Sequence, residues 1–166
     1  MEEEFKKMIF ENKSLILRIC RFYNAWHEKE AIEDLYQEIV LNLWKSYPKF
    51  INNQQCKAST WIYRIALNTA LLQKRSRSKI TYVTLNNHPV ANQISNDSNN
   101  SQIGILYRLI EKLNEEEKAI IYLYLDDLSH KEIAEIIGIS ETNVGTKIHR
   151  IKIKQPPAEQ VDFVKE

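Results

Sequence analysis

Apolar residues recur at intervals of three and four through most of this chain, and almost nowhere do they alternate as a half-buried strand would require. Phe5 and Ile9, then Leu15, Ile16, Ile19 and Phe22, mark stripes on one or two helices. A longer helix is predicted from about Glu30 to Ser46, with a core face of Leu35, Ile39 and Leu43, and with Ile32, Tyr36 and Trp44 alongside. Pro48 should stop it, because proline has no N–H to donate and its ring clashes with the preceding turn. A polar loop from Ile51 to Ala58 then precedes another helix, in which Trp61, Ile62, Ile65, Ala66, Thr69 and Leu72 recur on one side.

Periodicity fails between about residues 78 and 102, where Asn and Ser compete for backbone hydrogen bonds and few large apolar groups are available to form a core. This segment reads as a linker, and its TYVTL run, residues 81 to 85, is the only strand-like stretch. Helical spacing resumes with Ile103, Leu106, Leu109, Ile110 and Leu113. Asn114 with Glu117, and Ser129 with Glu132, have the spacing of capping boxes, and Glu115, Glu116 and Glu117 suit the positive end of a helix. The second box opens a short helix that carries Ile133, Ala134, Ile136 and Ile137 to a stop at Gly138. Ser140 can cap a last helix with Val144, Ile148 and Ile151 facing inward, beyond which Pro156 and Pro157 forbid continuation. The expected architecture is all-α: a bundle over residues 1–78, a flexible linker over 79–102, a second helical domain over 103–155 and a tail over 156–166.

Composition supports helix, with only three glycines and four prolines among 166 residues. Apolar residues at 43% and charged residues at 27% give a folded, globular balance. The start, Met1 to Lys7, lacks the apolar core of a secretory signal, and no apolar stretch approaches the roughly 18 residues of a membrane span, so a cytoplasmic protein is expected. Cys20 and Cys56 stand apart from each other and from any histidine cluster, which points to ordinary thiols and not to a zinc site or a disulfide framework.

The net charge of +1 conceals a strong pattern. Residues 1–48 hold nine acids and seven bases, whereas residues 49–96 hold seven bases and no acid. Acids return from Asp97 to Glu135, nine against four bases, and residues 136–154 then carry Lys147, Arg150, Lys152 and Lys154 against Glu141 alone. Two basic segments separated by acidic ones imply two separate contacts with a polyanion.

The second basic segment lies on LSHKEIAEIIGISETNVGTKIHRI, a short helix, a glycine turn, and a helix with an apolar seam and a polar outer face. That is the pattern of a helix-turn-helix, and it places Thr142, Asn143, Thr146, Lys147 and Arg150 where a major groove can be met. An ordinary helical hairpin with a solvated outer face shares the pattern. On the earlier long helix Asp34, Gln37 and Glu38 fall three and four apart, on a face distinct from its core stripe.

Three stretches, in order, resemble extracytoplasmic-function sigma factors of the sigma-70 family, and together they cover about half of the chain. AIEDLYQEIVLNLWKSYPKF is similar to the family's polymerase-binding helix, STWIYRIALNTALLQKRSR to its promoter-melting helix, and LNEEEKAIIYLYLDDLSHKEIAEIIGISETNVGTKIHRIK to its sigma-4 helix-turn-helix. The resemblance implies a sigma-2-like bundle and a sigma-4-like domain, no catalytic residue and no cofactor. It further implies three partners: core RNA polymerase, through the clamp helices of its largest subunit, promoter DNA, and an anti-sigma factor. By the same resemblance Asp34, Gln37 and Glu38 face the clamp helices, and the loop from Phe50 to Ser59 receives a flipped-out base of the non-template strand with help from Asn68. Tyr63, Arg64, Asn68, Lys74 and Arg75 become candidates for contact with melted DNA, Trp61 being better placed for core packing. Asn143 and Thr146 become candidates for base edges, and Lys147 and Arg150 for phosphates.

Departures from the family pattern are visible at Leu72, where an acid is common, at Gly145 inside the recognition helix, in a slightly long Ile51–Ala58 loop and in the unusual end KIKQPPAEQVDFVKE. Two other functions fit parts of the chain. An autonomous helix-turn-helix regulator leaves the basic middle unexplained and offers no coiled-coil seam for a dimer. A magnesium-dependent hydrolase built on Glu30, Glu33, Asp34 and Glu38 would need a second acidic helix, yet residues 57–77 contain no acid.

Overall fold

Eight helices form the regular structure of the described residues, which in the computed structural model are 1–24, 28–53, 55–84 and 102–154. They fall into two units, Met1–Asn87 and His88–Glu166. In the first unit α1 spans Glu2–Glu11, α2 Lys13–Tyr23, α3 Lys29–Asn53 and α4 Ala58–Thr84. The opening apolar stripes thus belong to two helices, divided at Asn12, whose Nδ2 donates to the Met8 carbonyl at 2.8 Å. α3 packs on α2 and α4, and α1 lies against α2 and α3. The core face of α3 is Leu35, Ile39, Leu43 and Tyr47, all buried.

Pro48 does not stop α3, which continues to Asn53 with the proline inside it. An interior proline costs on the order of 3 kcal/mol, and aromatic packing on both sides of it opposes that cost. Tyr47 lies 5.0 Å from the Phe5 ring and 6.2 Å from Trp61, while Phe50 stacks on Trp61 at 4.4 Å. Tertiary contact therefore overrides the local signal, and of the expected loop from Ile51 to Ala58 residues 51–53 belong to α3 and Ala58 to α4. The TYVTL run is likewise helical as far as Thr84, since α4 propagates through it. Of the expected linker, residues 85–101 lie outside the described residues, as does the tail from 155 onward.

α4 turns Ile62, Ala66 and Thr69 inward, and the buried arc widens on one side through Tyr63, Leu67 and Ala70. Leu72, expected on the core side, is consequently swung outward and is 64% exposed. Polar ties reinforce the packing: Asn42 Nδ2 donates to Thr69 Oγ1 at 3.1 Å, and Thr69 Oγ1 donates to the Ile65 carbonyl at 2.8 Å. At the end of α2 buried Asn24 donates to the Cys20 carbonyl at 3.1 Å and accepts from Arg77 at 3.2 Å, which ties α4 to α2. Cys20 is fully buried, and burial pushes its thiol up to about 12, so it acts as a core residue.

The second unit contains α5 (Gln102–Glu111), α6 (Glu115–Leu125), α7 (His130–Ile137) and α8 (Glu141–Ile153). Both capping boxes form: Glu117 N–H donates to Asn114 Oδ1 at 2.8 Å, Glu132 N–H donates to Ser129 Oγ at 3.2 Å, and each glutamate accepts in return from the cap residue's N–H. Gly138 ends α7 at φ 85°, where a side chain would be strained. Ser140 Oγ accepts from the Asn143 N–H at 3.1 Å and starts α8. Ile133 and Ile136 of α7 and Val144, Ile148 and Ile151 of α8 are buried, and α6 packs on both helices.

Candidate polymerase and promoter interfaces

The outward side of α3 is set by its core stripe. With Leu35, Ile39 and Leu43 held inside, Asp34, Gln37 and Glu38 are all exposed and share one face. The same stripe continues to Leu41, 44% exposed, which was not among the sequence candidates. Extending the 34, 37, 38 spacing by one step of three would have found it. An exposed leucine at one end of a row of two carboxylates and an amide gives the face both apolar and polar groups, a mixture suited to a protein contact.

The outward side of α4 has a different character. Arg64 is half-buried, and Asn68, Leu72 and Arg75 are exposed at successive steps of four, four and three, so the four residues form one stripe. Lys74 is also exposed, on the flank of that stripe. Tyr63 stands apart from them. It is only 5% exposed and belongs to the packed arc, so its ring offers no stacking surface. Trp61 packs in the core against Phe50. The α4 stripe therefore presents cations and an amide from a stretch of chain without a carboxylate.

In the second unit α7, the tight turn at Gly138 and α8 form a helix-turn-helix whose inner seam fixes what α8 shows outside. Thr142, Asn143, Thr146 and Arg150 are exposed on its outer side, joined by His149, another residue the sequence reading did not single out. Spacings of four and three from Thr142 through Thr146 to His149 mark it. Arg150 has no ion-pair partner among the described residues. Lys147 sits lower on the flank, where its Nζ is 3.2 Å from Glu116 Oε2 of α6. Lys154 is 3.0 Å from Glu117, and this hydrogen bond, with help from the Asn114 N–H, holds the Glu117 carboxyl below its ordinary range. Lys152 donates to the Tyr124 hydroxyl at 3.1 Å and lies over its ring. Thus the first turn of α6 pairs with one cation of α8 and with Lys154 just past its end, across 31 and 37 residues, contacts that periodicity cannot reveal. Gly145 faces inward, where an added Cβ would lie 3.5 Å from His130, and not toward the outer face.

Among the described residues no three His, Cys, Asp or Glu side chains are grouped to hold a metal, and no helix is long and apolar enough to cross a membrane. The first unit matches sigma-70 region 2 over residues 8–80, and the second matches sigma-70 region 4 over residues 103–154. The ECF RNA polymerase sigma factor SigW of Bacillus subtilis is 28% identical over 163 residues, spanning 90% of this chain and 85% of that one. The chain belongs to the extracytoplasmic-function group of the sigma-70 family. The RNA polymerase sigma factor YlaC of the same organism is 24% identical over 139 residues, 80% of this chain and 79% of that one. The fold is also that of the sigma factor RpoE from Bartonella quintana in its co-crystal with the anti-sigma factor NepR, at a TM-score of 0.66 and 18% identity over 91% of this chain and 93% of that one. As a sigma factor the chain binds core RNA polymerase and promoter DNA, directs initiation and is not an enzyme. Regions 2 and 4 in one chain disfavour an autonomous regulator.

Proposed function

We propose that the division of labour in this sigma factor follows the division of surface chemistry between α3 and α4. The observation that carries the reading is that α3 presents Asp34, Gln37, Glu38 and Leu41 outward, whereas α4 presents Arg64, Asn68 and Arg75 from a segment with no acid between residues 49 and 96. The α3 face docks on the clamp helices of polymerase's largest subunit, and the α4 stripe, with the short loop before it, holds the melted part of the promoter. Lys74 contributes to the backbone from the flank of that stripe. Tyr63 drops out of this role because it is packed.

The outer face of α8 reads the upstream promoter element. Asn143 and Thr146 meet base edges, and exposed Arg150 is the first phosphate anchor. His149 and Thr142 border the same surface, and Lys147 joins it once it leaves Glu116. The sigma factor works in the cytoplasm, beside the DNA. A partner of the anti-sigma kind is proposed for it, as the fold relative was captured with one.

The experiment separates binding from opening. Reversing charge at Asp34 or Glu38 should weaken association with core polymerase at unchanged helicity. Replacing Asn68 by Ala should leave that association intact and reduce permanganate reactivity of promoter thymines. If Asn68→Ala opens promoters normally, or the charge reversals leave polymerase affinity unaltered, the assignment of the two faces is wrong.

A further inference from the structure

Leu72 is the large apolar residue on the α4 stripe that the fold does not use. A single exposed leucine is ordinary on a protein surface, so its 64% exposure carries nothing alone. Its surroundings do. It lies one turn beyond Asn68 and three residues before Arg75, both exposed, with Lys74 close by in sequence. At 1.5 Å of rise per residue Asn68 and Arg75 are about 10 Å apart along the axis, roughly three base steps of a nucleic-acid strand. Any strand or groove that engages both must pass over the leucine between them.

The charge of the segment selects the occupant. Residues 49–96 carry seven bases and no acid, a surface complementary to a polyanion. DNA offers one apolar group at its base edges, the 5-methyl of thymine. We infer that Leu72 is a specificity residue that packs on a thymine methyl group of the promoter, flanked by Asn68 on a neighbouring base and Arg75 on the backbone. This rests on the proposed role of the α4 stripe and extends it from holding DNA to preferring thymine at one position.

The test removes the methyl and the leucine separately and together. Holoenzyme carrying the parent chain or Leu72→Ala is assayed for open-complex formation on promoters in which single thymines, in either strand, are replaced by deoxyuridine. The parent should lose about fourfold at one position, the value of one buried methyl group. Leu72→Ala should be weaker on thymine-containing DNA and insensitive to deoxyuridine at that same position. The strand in which the insensitive position lies tells which strand Leu72 faces. Losses that multiply at every position would overturn the contact, as would a Leu72→Ala variant that opens promoters normally or one whose only defect is in polymerase affinity. Arg75→Ala and Asn68→Ala distinguish the two levels. If they impair opening while Leu72 is uncoupled from every thymine, the methyl contact alone falls; if they too are without effect, the α4 reading falls with it.

Discussion

Glu116 should restrain the hold of this sigma factor on the upstream promoter element. Its carboxylate is 3.2 Å from Lys147 Nζ, with the lysine and glutamate side chains 27% and 46% exposed. A phosphate that takes Lys147 must displace that carboxylate first. Partly exposed pairs of this kind are worth about 0.2–1 kcal/mol, so Glu116→Gln should tighten DNA binding by a factor of about 1.4 to 5. Salt dependence gives a second, independent reading. A lysine that meets a phosphate releases close to one counterion, but a carboxylate set free in the same step recovers part of that release. The substitution should therefore steepen the slope of log affinity against log salt by up to about one unit, most clearly when Lys147 is retained. The assay is fluorescence anisotropy of holoenzyme on upstream-element DNA at several salt concentrations, with Lys147→Ala and Arg150→Ala alongside. Glu116 is not part of the Asn114–Glu117 capping box, so α6 should stay capped. Unchanged affinity and slope in Glu116→Gln, together with a full loss in Lys147→Ala, would refute the competition. No loss in Lys147→Ala would make Lys147 a structural tie between α8 and α6.

Gly145→Ala should stabilise the second unit by up to about 1 kcal/mol, because the helix gains propensity and the added Cβ meets His130 at ordinary contact distance; a lowered melting temperature would show that His130 cannot accommodate it. Leu41→Ala should weaken polymerase association at least as much as loss of Gln37, since burying an exposed leucine against a partner removes apolar surface from water whereas an amide largely exchanges one hydrogen bond for another; titration of labelled core polymerase checks this, and parent-like affinity would remove Leu41 from the interface. Glu117, held low by Lys154, contributes stability that is present above its ordinary value of 4.5 and is lost as pH falls through its lowered one. Glu117→Gln should flatten the acid limb of the second unit's unfolding curve, and a curve with the parent's acid limb would contradict that linkage.

What the sequence made legible was local chemistry. Asn114, Ser129 and Ser140 announce helix starts because a side-chain oxygen three residues before an N–H needs no tertiary help, and Gly138 marks a turn because it alone adopts the left-handed conformation there freely. The seam Val144, Ile148, Ile151 is equally legible, being the sole apolar arc of its helix. On α4 two apolar arcs compete: periodicity put Leu72 on the core side, whereas packing against α2 and α3 leaves it exposed and buries Tyr63, which the family resemblance had offered for DNA. Pro48 misleads because the aromatic contacts of Tyr47 and Phe50 that hold α3 together come from distant Phe5 and Trp61. The Glu116–Lys147 pair was invisible for the same reason, since only the folded second unit brings them together.

The most direct test of the account is reconstituted transcription: core polymerase with the parent chain, and with variants altered on each face, on genomic DNA with sequencing of the 5′ ends produced. The account predicts a discrete set of starts absent from core polymerase alone, sharing an upstream element and a melted-region element. Asp34 and Glu38 reversals should abolish the whole set, and Asn143→Ala should redistribute it according to the upstream element. Starts no different from those of core polymerase, or an Asn143 variant that keeps the parent's preference across randomised upstream sequence, would contradict it.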